Sequence, residues 1–361
     1  MVYKVIGLMS GSSLDGLDIA YVHLQERAAT SQQLPKTWEY NVVHTGFSPY
    51  PDHWKQWLAA APGLSALEYQ LLHVDYGHWL GEQVMYFIDQ QELYYKVQLI
   101  VSHGHTAFHV PGRQMTAQLG DGAAIAAETR INVVSDLRAM DLALGGQGAP
   151  IVPIGERLLL PGYELFLNLG GIANVSQGST AFDVCPANRV LNALAEQEGL
   201  RQDTGGALAA SGRVDEDLLR ELNALPYYGL PWPKSLGNEF GTETVLPLVL
   251  ARGLSTADAL RTYVEHIAEQ VARAVGDGQK ADAKMLVTGG GVHNTFLVER
   301  LKANLEVQVV VPDKELVDYK EAIIMALIGV LRWREENNVL ASVTGASRDS
   351  IGGAVWIGQE A

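Results

Sequence analysis

Apolar positions follow two rhythms along this chain. Tyr3-Lys-Val-Ile-Gly-Leu8 and Leu17-Asp-Ile-Ala-Tyr-Val-His-Leu24 have the length and β-branched content of strands. Gln98–Ser102, Glu164–Leu169 and Lys284–Thr288 are short, nearly continuous apolar runs, the pattern of strands buried on both faces. Over Leu64–Glu92, Asp258–Val275, Asn294–Leu305 and Tyr319–Arg332 the apolar residues instead recur at three- and four-residue spacing, which predicts helices. Strands alternating with helices argue for an α/β architecture with mixed sheets.

The polar interruptions are as informative as the apolar runs. Between the first two strands, Ser10 to Asp18 forms a Ser/Gly turn with two aspartates. Gly11 and Gly16 let backbone amides approach an anion, the hydroxyls of Ser10, Ser12 and Ser13 can donate to phosphate oxygens, and Asp15 and Asp18 can hold a hydrated Mg2+. A glycine-rich hairpin with no ligand fits the same residues. A Walker A loop does not, because Leu17 and Asp18 stand where that motif needs Lys and Ser or Thr. A Gly-x-Ser-x-Gly elbow fails on residue type at both Gly7 and Gly11.

The same form recurs in Phe166-Leu-Asn-Leu-Gly-Gly-Ile-Ala-Asn-Val-Ser176, so the chain reads as two related halves with a boundary near Pro150 to Gly162, where three prolines break the periodicity. A third cluster, Gly289-Gly290-Gly291, follows the 284–288 run and opens a helix near Asn294. Such a turn lets backbone lie flat against a base or ribose with the helix N-terminus toward an anion. Each cluster alone fits a tight turn equally well; three together suggest a nucleotide held between domains. Leu225 to Gly237, rich in Pro and aromatics, reads as a packed surface loop or one that lines a cleft.

Composition narrows the partners. At 361 residues the chain exceeds what one core usually supports, so two domains are expected. With 26 basic and 41 acidic residues, a formal charge of -15, it lacks the excess of positive charge that nucleic acid or an anionic membrane surface selects. A small anion must then be held by local amides and metal. The single cysteine, Cys185, permits no internal disulfide and suits a reducing compartment. No signal-peptide pattern or run of 18 apolar residues is present, so a soluble cytoplasmic protein is expected. A homodimer is left open.

Three constellations could carry chemistry. Asp183, in Thr180-Ala-Phe-Asp-Val-Cys-Pro-Ala-Asn188, sits at the end of an expected strand, where a carboxylate can act as general base or merely cap a turn; Asn188 reads as a cap of the next helix. His103, His105 and His109 match no standard zinc spacing, and Ser102-His-Gly-His-Thr106 reads better as a loop offering donors to a polyhydroxylated substrate. Arg138, between Asp136 and Asp141 and ahead of Gly145-Gly-Gln-Gly-Ala-Pro150, is either a surface ion pair or a planar fork for a sugar hydroxyl or carboxylate.

Taken in order, these motifs resemble the anhydro-N-acetylmuramic acid kinase family over nearly the whole chain. Met9 to Asp18 is similar to that family's first phosphate motif and Ser102 to Thr106 to its substrate loop. Val134 to Arg138, Gly145 to Pro150, Leu167 to Asn174, Pro233-Lys-Ser235, Thr288 to Asn294, Val317 to Ala322 and Val343 to Ala346 are similar to further signatures. The resemblance implies the sugar kinase, actin and heat-shock ATPase superfold. In it, two actin-like (ribonuclease H-like) domains, 1–158 plus 341–361 and 159–340, enclose a central cleft for ATP and Mg2+. It also implies ATP-dependent opening of 1,6-anhydro-N-acetylmuramic acid with phosphorylation of O6 in cell-wall recycling. Asp183 would be the catalytic base. The nucleotide would lie at Gly11, Ser12, Ser13, Leu14, Asp15, Gly16, Leu17 and Asp18, at Gly170, Gly171 and Asn174, and at Gly289, Gly290, Gly291 and Asn294. Asp15 would hold Mg2+ through water, and His105, Thr106, Arg138 and Glu321 would hold the sugar.

Around the base the family pattern reads Phe-Asp-Thr-Gly-Pro-Gly-Asn, whereas this chain has Val184-Cys185-Pro186-Ala187 after Asp183. His105 stands for a usual Gln, and Leu236 and Asn238 for Thr and Arg. Added bulk beside the base is expected to narrow the sugar pocket, which keeps a kinase for another anhydrosugar such as levoglucosan as the nearest rival. A nucleotide-switched binding protein is the rival of another class; retention of Asp183, Thr106 and Arg138 weighs against it.

Overall fold

The computed structural model describes residues 1–11, 14–27, 37–178, 180–231, 234–237, 239–276, 279–280 and 282–358. Ser12, Ser13, Pro233 and Asn238, singled out above, lie outside the described residues. Two compact units are present, Met1–Pro161 with Tyr319–Ala361, and Gly162–Asp318. The return to the first unit falls at Tyr319, within the helix Lys314–Trp333, and not at residue 341. That helix packs directly on the first unit's sheet. A Cβ on Gly7 would lie 2.0 Å from the Ala322 carbonyl oxygen, and one on Gly329 2.0 Å from the Val101 side chain.

The first unit begins with β1 (Val2–Ser10), β2 (Gly16–Glu26) and β3 (Trp38–Pro49), then β4 (Leu99–Ser102), β5 (His105–Val110), β6 (Met115–Leu119) and β7 (Val133–Ser135). The second contains β8 (Leu165–Leu169), β9 (Ile172–Gln177), β10 (Thr180–Pro186), β11 (Lys284–Thr288) and β12 (Gln308–Val310). The chain then returns to add β13 (Ala354–Trp356) to the edge of the first sheet. The sheet orders are β3-β2-β1-β4-β7-β13 and β10-β9-β8-β11-β12, and β5 and β6 form a separate hairpin. In both large sheets three consecutive antiparallel strands are followed by two parallel ones on the far side of the first. This 3-2-1-4-5 order, repeated, is the ribonuclease H-like arrangement, and it bears out the reading of two related halves with mixed sheets.

Local sequence explains where the elements stop. The helix expected over Leu64–Glu92 runs Ala66–Gln90, fixed at its start by a capping box in which Ser65 and Glu68 satisfy each other's backbone amides. Ser255 caps Thr256–Val275 in the same position. Each unit has its own apolar core, one built around Ile6, Leu8, Tyr76 and Leu80, the other around Leu165, Leu167, Tyr263 and Val287. Because the two sheets share a topology, the turns β1-β2 and β8-β9 occupy equivalent positions. The loops after β4 and β11 follow strand carboxyl ends, where α/β sheets bind ligands.

Candidate active site

In the second unit the strand register assembles a row of polar side chains. Asp183 on β10 pairs with Asn174 on β9, Asn174 with Asn168 on β8, and Asn168 with Thr288 on β11. Laterally paired residues share a face of the sheet, so these four groups lie side by side across four strands. The Thr288 hydroxyl is buried and has no hydrogen-bond partner among the described residues. Asn168 and Thr288 lie inside the glycine motifs, but sequence alone gives them no role, since only the long-range pairing of β8 with β11 brings them into line.

Asp183 is half-buried, and a bulge between it and Cys185 re-aims the strand there. It lies within β10, which continues to Pro186, not at its end. The Leu236 amide donates to its Oδ2 at 2.9 Å, its own amide donates to the Lys234 carbonyl at 3.1 Å, and the Tyr227 hydroxyl donates to its carbonyl at 2.6 Å. The Pro/aromatic loop therefore packs against the carboxylate. Burial pushes the Asp183 carboxyl above its ordinary value, with the Leu236 amide partly opposing the rise. Lys234 donates to the Tyr227 carbonyl at 3.1 Å and lies over the Tyr227 ring at 4.5 Å, bracing the same loop.

The glycines beside this row divide by role. Gly289 has φ +85°, and a Cβ there would lie 2.4 Å from Asn168 Oδ1; a Cβ on Gly291 would lie 2.6 Å from the Leu169 side chain. Both let the third cluster close against the second hairpin. Gly290, by contrast, faces open space, and Cβ atoms on Gly170 and Gly171 would meet nothing closer than 3.4 Å and 3.8 Å. The carbonyls of Gly170 and Gly171 accept the amides of Asn188 and Ala187, tying the hairpin to the start of the helix Asn188–Ala195. Asn188 is not the expected cap. It is the helix's first residue, and its side-chain Nδ2 donates to the Leu169 carbonyl at 3.0 Å. Asn294 accepts the Leu297 amide at 2.9 Å and caps Thr295–Asn304.

In the first unit, Ser10 and Leu17 close the β1-β2 ladder around the first hairpin. Leu14 takes a left-handed φ of +56° and the Asp15 carbonyl accepts the Tyr50 amide at 3.1 Å, so the turn is anchored at its far side. The side chain of Leu17 is in the core; only its backbone faces the hairpin. Asp15 is exposed and Asp18 half-buried on β2. Ser10 joins a buried chain of polar groups: its Oγ is 2.7 Å from the Tyr50 hydroxyl, which bonds the Tyr76 hydroxyl, and 3.4 Å from His105 Nδ1. His105 is itself buried, and burial lowers its pKa to about 4, so it is neutral near pH 7. Tyr50 and Tyr76 lie outside the glycine motifs and carry no local signal of this contact.

Around Arg138 a second network forms. Its Nε donates to His103 Nε2 at 2.9 Å and its Nη1 to the Gly148 carbonyl at 2.6 Å. His103 Nε2 must then be the acceptor, so Nδ1 carries the proton it donates to the Gly104 carbonyl at 2.8 Å. Burial first, and then the Arg138 charge, pull His103 down to about 3. Gly104, with φ +71°, brings this turn against β6, where a Cβ would lie 2.5 Å from the Leu119 carbonyl oxygen. Burial lowers the Arg138 guanidinium to about 10 against the opposing pull of Glu321 and Asp141. Glu321 is raised by burial, with Lys320 and Arg138 opposing. Asp141, fully buried, accepts from the Gly148 amide and the Thr344 hydroxyl at 2.7 Å each, fastening the 145–150 loop to the Val343–Ala346 segment. Thr106 is exposed and takes a 3.3 Å bond from Gln118 on the neighbouring strand. Among the described residues no cluster of three or more His, Cys, Asp or Glu could hold a metal, and no helix is long and apolar enough to cross a membrane.

The sequence model of the family described as anhydro-N-acetylmuramic acid kinase matches residues 3–358. The chain belongs to this family. It is similar to the anhydro-N-acetylmuramic acid kinase of Aliivibrio fischeri, at 33% identity covering 98% of this chain and 99% of the relative. The corresponding protein of Rhodococcus erythropolis is 36% identical, covering 98% and 94%. Among solved structures, the activator of 2-hydroxyisocaproyl-CoA dehydratase from Clostridium difficile with bound ADPNP is similar at 12% identity and a TM-score of 0.42, covering 93% of this chain and 97% of that one.

Against the family pattern, the departures after Asp183 turn out to be core residues. Val184, Cys185 and Ala187 are all buried in the second unit's apolar cluster. Their bulk packs into that core. Burial also pushes the Cys185 thiol well up, so it is a packing group and not a nucleophile.

Proposed function

We propose that this family member is an ATP-dependent carbohydrate kinase that opens 1,6-anhydro-N-acetylmuramic acid and phosphorylates its O6, acting in the cytoplasm in cell-wall recycling. The observation that carries the reading is Asp183. It is a half-buried carboxylate with a raised pKa, held by the Leu236 amide in a row of polar groups beside an open Gly170-Gly171 turn. Asp183 takes a proton from water as that water attacks the anomeric carbon, and the C1–O6 bond of the bridge breaks. The released O6 attacks the γ-phosphorus of ATP, and ADP leaves. The departing oxygen is captured by phosphoryl transfer, so no separate acid is required.

Phosphoryl transfer depends on positioning and charge neutralisation, which the open glycine turns suit. Asp15, an exposed carboxylate at the first hairpin, has the hard oxygen donors that Mg2+ accepts. When bound, Mg2+ would neutralise charge on the phosphate oxygens. Arg138 and Thr106 are the groups we assign to the sugar, with Glu321 balancing the arginine.

The deciding measurement is ADP release with anhydro-N-acetylmuramate, levoglucosan and N-acetylmuramate. Turnover with the first and little with the others is expected, because the core packing of Val184 and Cys185 gives no reason for a smaller sugar. Preference for levoglucosan would transfer the assignment to the rival kinase, and ATP turnover indifferent to every sugar would end it.

A pH profile gives an independent check. The base works only when ionised, and its pKa is raised, so kcat/KM must begin to fall at a higher pH than an ordinary aspartate, about 3.9, would dictate. An acid limb at or below that ordinary value would show that the titrating base is another group.

A further inference from the structure

We infer that Arg189 binds the phosphate chain of the nucleotide at the second glycine hairpin. This rests on the reading of that hairpin as a nucleotide site. Arg189 is the second residue of the helix Asn188–Ala195, and its amide donates to the Gly171 carbonyl at 3.3 Å, which fixes the start of its side chain beside the turn. A Cβ placed on Gly171 would find Arg189 Nε at 3.8 Å and Nη2 at 4.0 Å, so the guanidinium lies along the side that this glycine leaves open. Its Nε is buried and makes no hydrogen bond among the described residues.

A buried, unsatisfied N–H of a charged group is costly to leave unpaired. In a chain with 41 acidic residues against 26 basic ones, a carboxylate to satisfy it would be easy to supply. Other arginines of the same unit have one: Arg300 bonds both oxygens of Glu265, and Arg252 bonds Glu221. Arg189 instead presents a planar fork to a glycine turn, the arrangement that matches two phosphate oxygens at once. The ligand chemistry is therefore a polyphosphate ester, whose oxygens the guanidinium would neutralise beside the turn.

The experiment is calorimetric titration of the full chain with ATP, ADP and adenosine, comparing the native protein with Arg189→Met and Arg189→Lys. Methionine keeps the apolar stem and removes the charge. We expect Arg189→Met to weaken ATP by roughly 10- to 100-fold, as for loss of a charge-assisted hydrogen-bond pair, with adenosine unchanged and Arg189→Lys intermediate. Native-like ATP affinity in Arg189→Met would overturn the assignment. So would an equal loss for ATP and adenosine, which would make Arg189 a packing residue. Native protein that binds ATP through Arg189 but phosphorylates no anhydrosugar would sink the proposed reaction and leave this inference standing.

Discussion

Replacing Asp183 by asparagine is expected to lower kcat by roughly 10²–10⁴-fold, the range general-base catalysis usually contributes. The substitution is nearly isosteric, and the Leu236 amide that donates to Oδ2 can donate equally to the asparagine oxygen. The side chain therefore stays in place while losing its capacity to take a proton. Stability should be unchanged or slightly higher, because burial disfavours the ionised carboxylate that the variant removes. Ring opening and phosphorylation should fall in the same proportion, since the O6 nucleophile is produced only when the bridge opens. Product analysis by sugar-phosphate chromatography beside an ADP assay tests both. Nucleotide affinity should remain, which separates a lost base from a damaged fold. A variant with native kcat would place the base elsewhere, and ring opening without phosphorylation would divide the two steps between different groups.

How much of this site could be read in advance depended on whether its determinants were local. The strands were legible because short apolar runs and their glycine punctuation are set within a few residues; Lys284–Thr288 is a strand over the expected residues. Helix ends were legible to within a few residues wherever a Ser or Asn cap was present, as at Ser65 and Asn294. Asp183 was legible by its motif. Its neighbours Asn168 and Thr288 were not, because they join it through register across four strands. The same holds for Ser10 with Tyr50 and Tyr76, separated by 40 and 66 positions and brought together only by the fold. The contacts of His103 with Arg138 and of His105 with Ser10 are likewise set by the fold and carry no local signal. That Val184 and Cys185 both pack into the core is not legible either, because sequence order does not show which face of a bulged strand a residue takes. Ser12 and Ser13, outside the described residues, are still assigned on sequence alone.

The buried pair Lys320–Glu156 offers the largest expected effect on stability. The ammonium lies 2.8 Å from Glu156 Oε1, and the two side chains are 5% and 6% exposed. Removing one member of such a pair leaves the other charge in a poorly solvating interior, which typically costs about 3–5 kcal/mol. Lys320→Met should therefore lower the first thermal transition substantially. The double variant Lys320→Met with Glu156→Leu, which removes both charges, should recover most of the loss, because a buried ion pair and an apolar pair of similar volume are often close in stability. A Lys320→Met protein that melts like the native one would mean that solvent reaches Glu156 after all. The pair also bears on the site. Lys320 is one of the charges that hold the Glu321 carboxyl down against burial, and Glu321 in turn supports the charge on Arg138. Without Lys320, Glu321 protonates more readily and Arg138 loses part of its counter-charge. The single variant should then raise KM for the sugar more than it lowers kcat, since the proposed base, Asp183, is untouched. In the double variant Glu156, which pushes Glu321 up, is removed as well, so KM should move back toward the native value along with stability. Recovery of stability without recovery of KM would show that the two effects have separate causes, and that Arg138 does not depend on Glu321 for its charge.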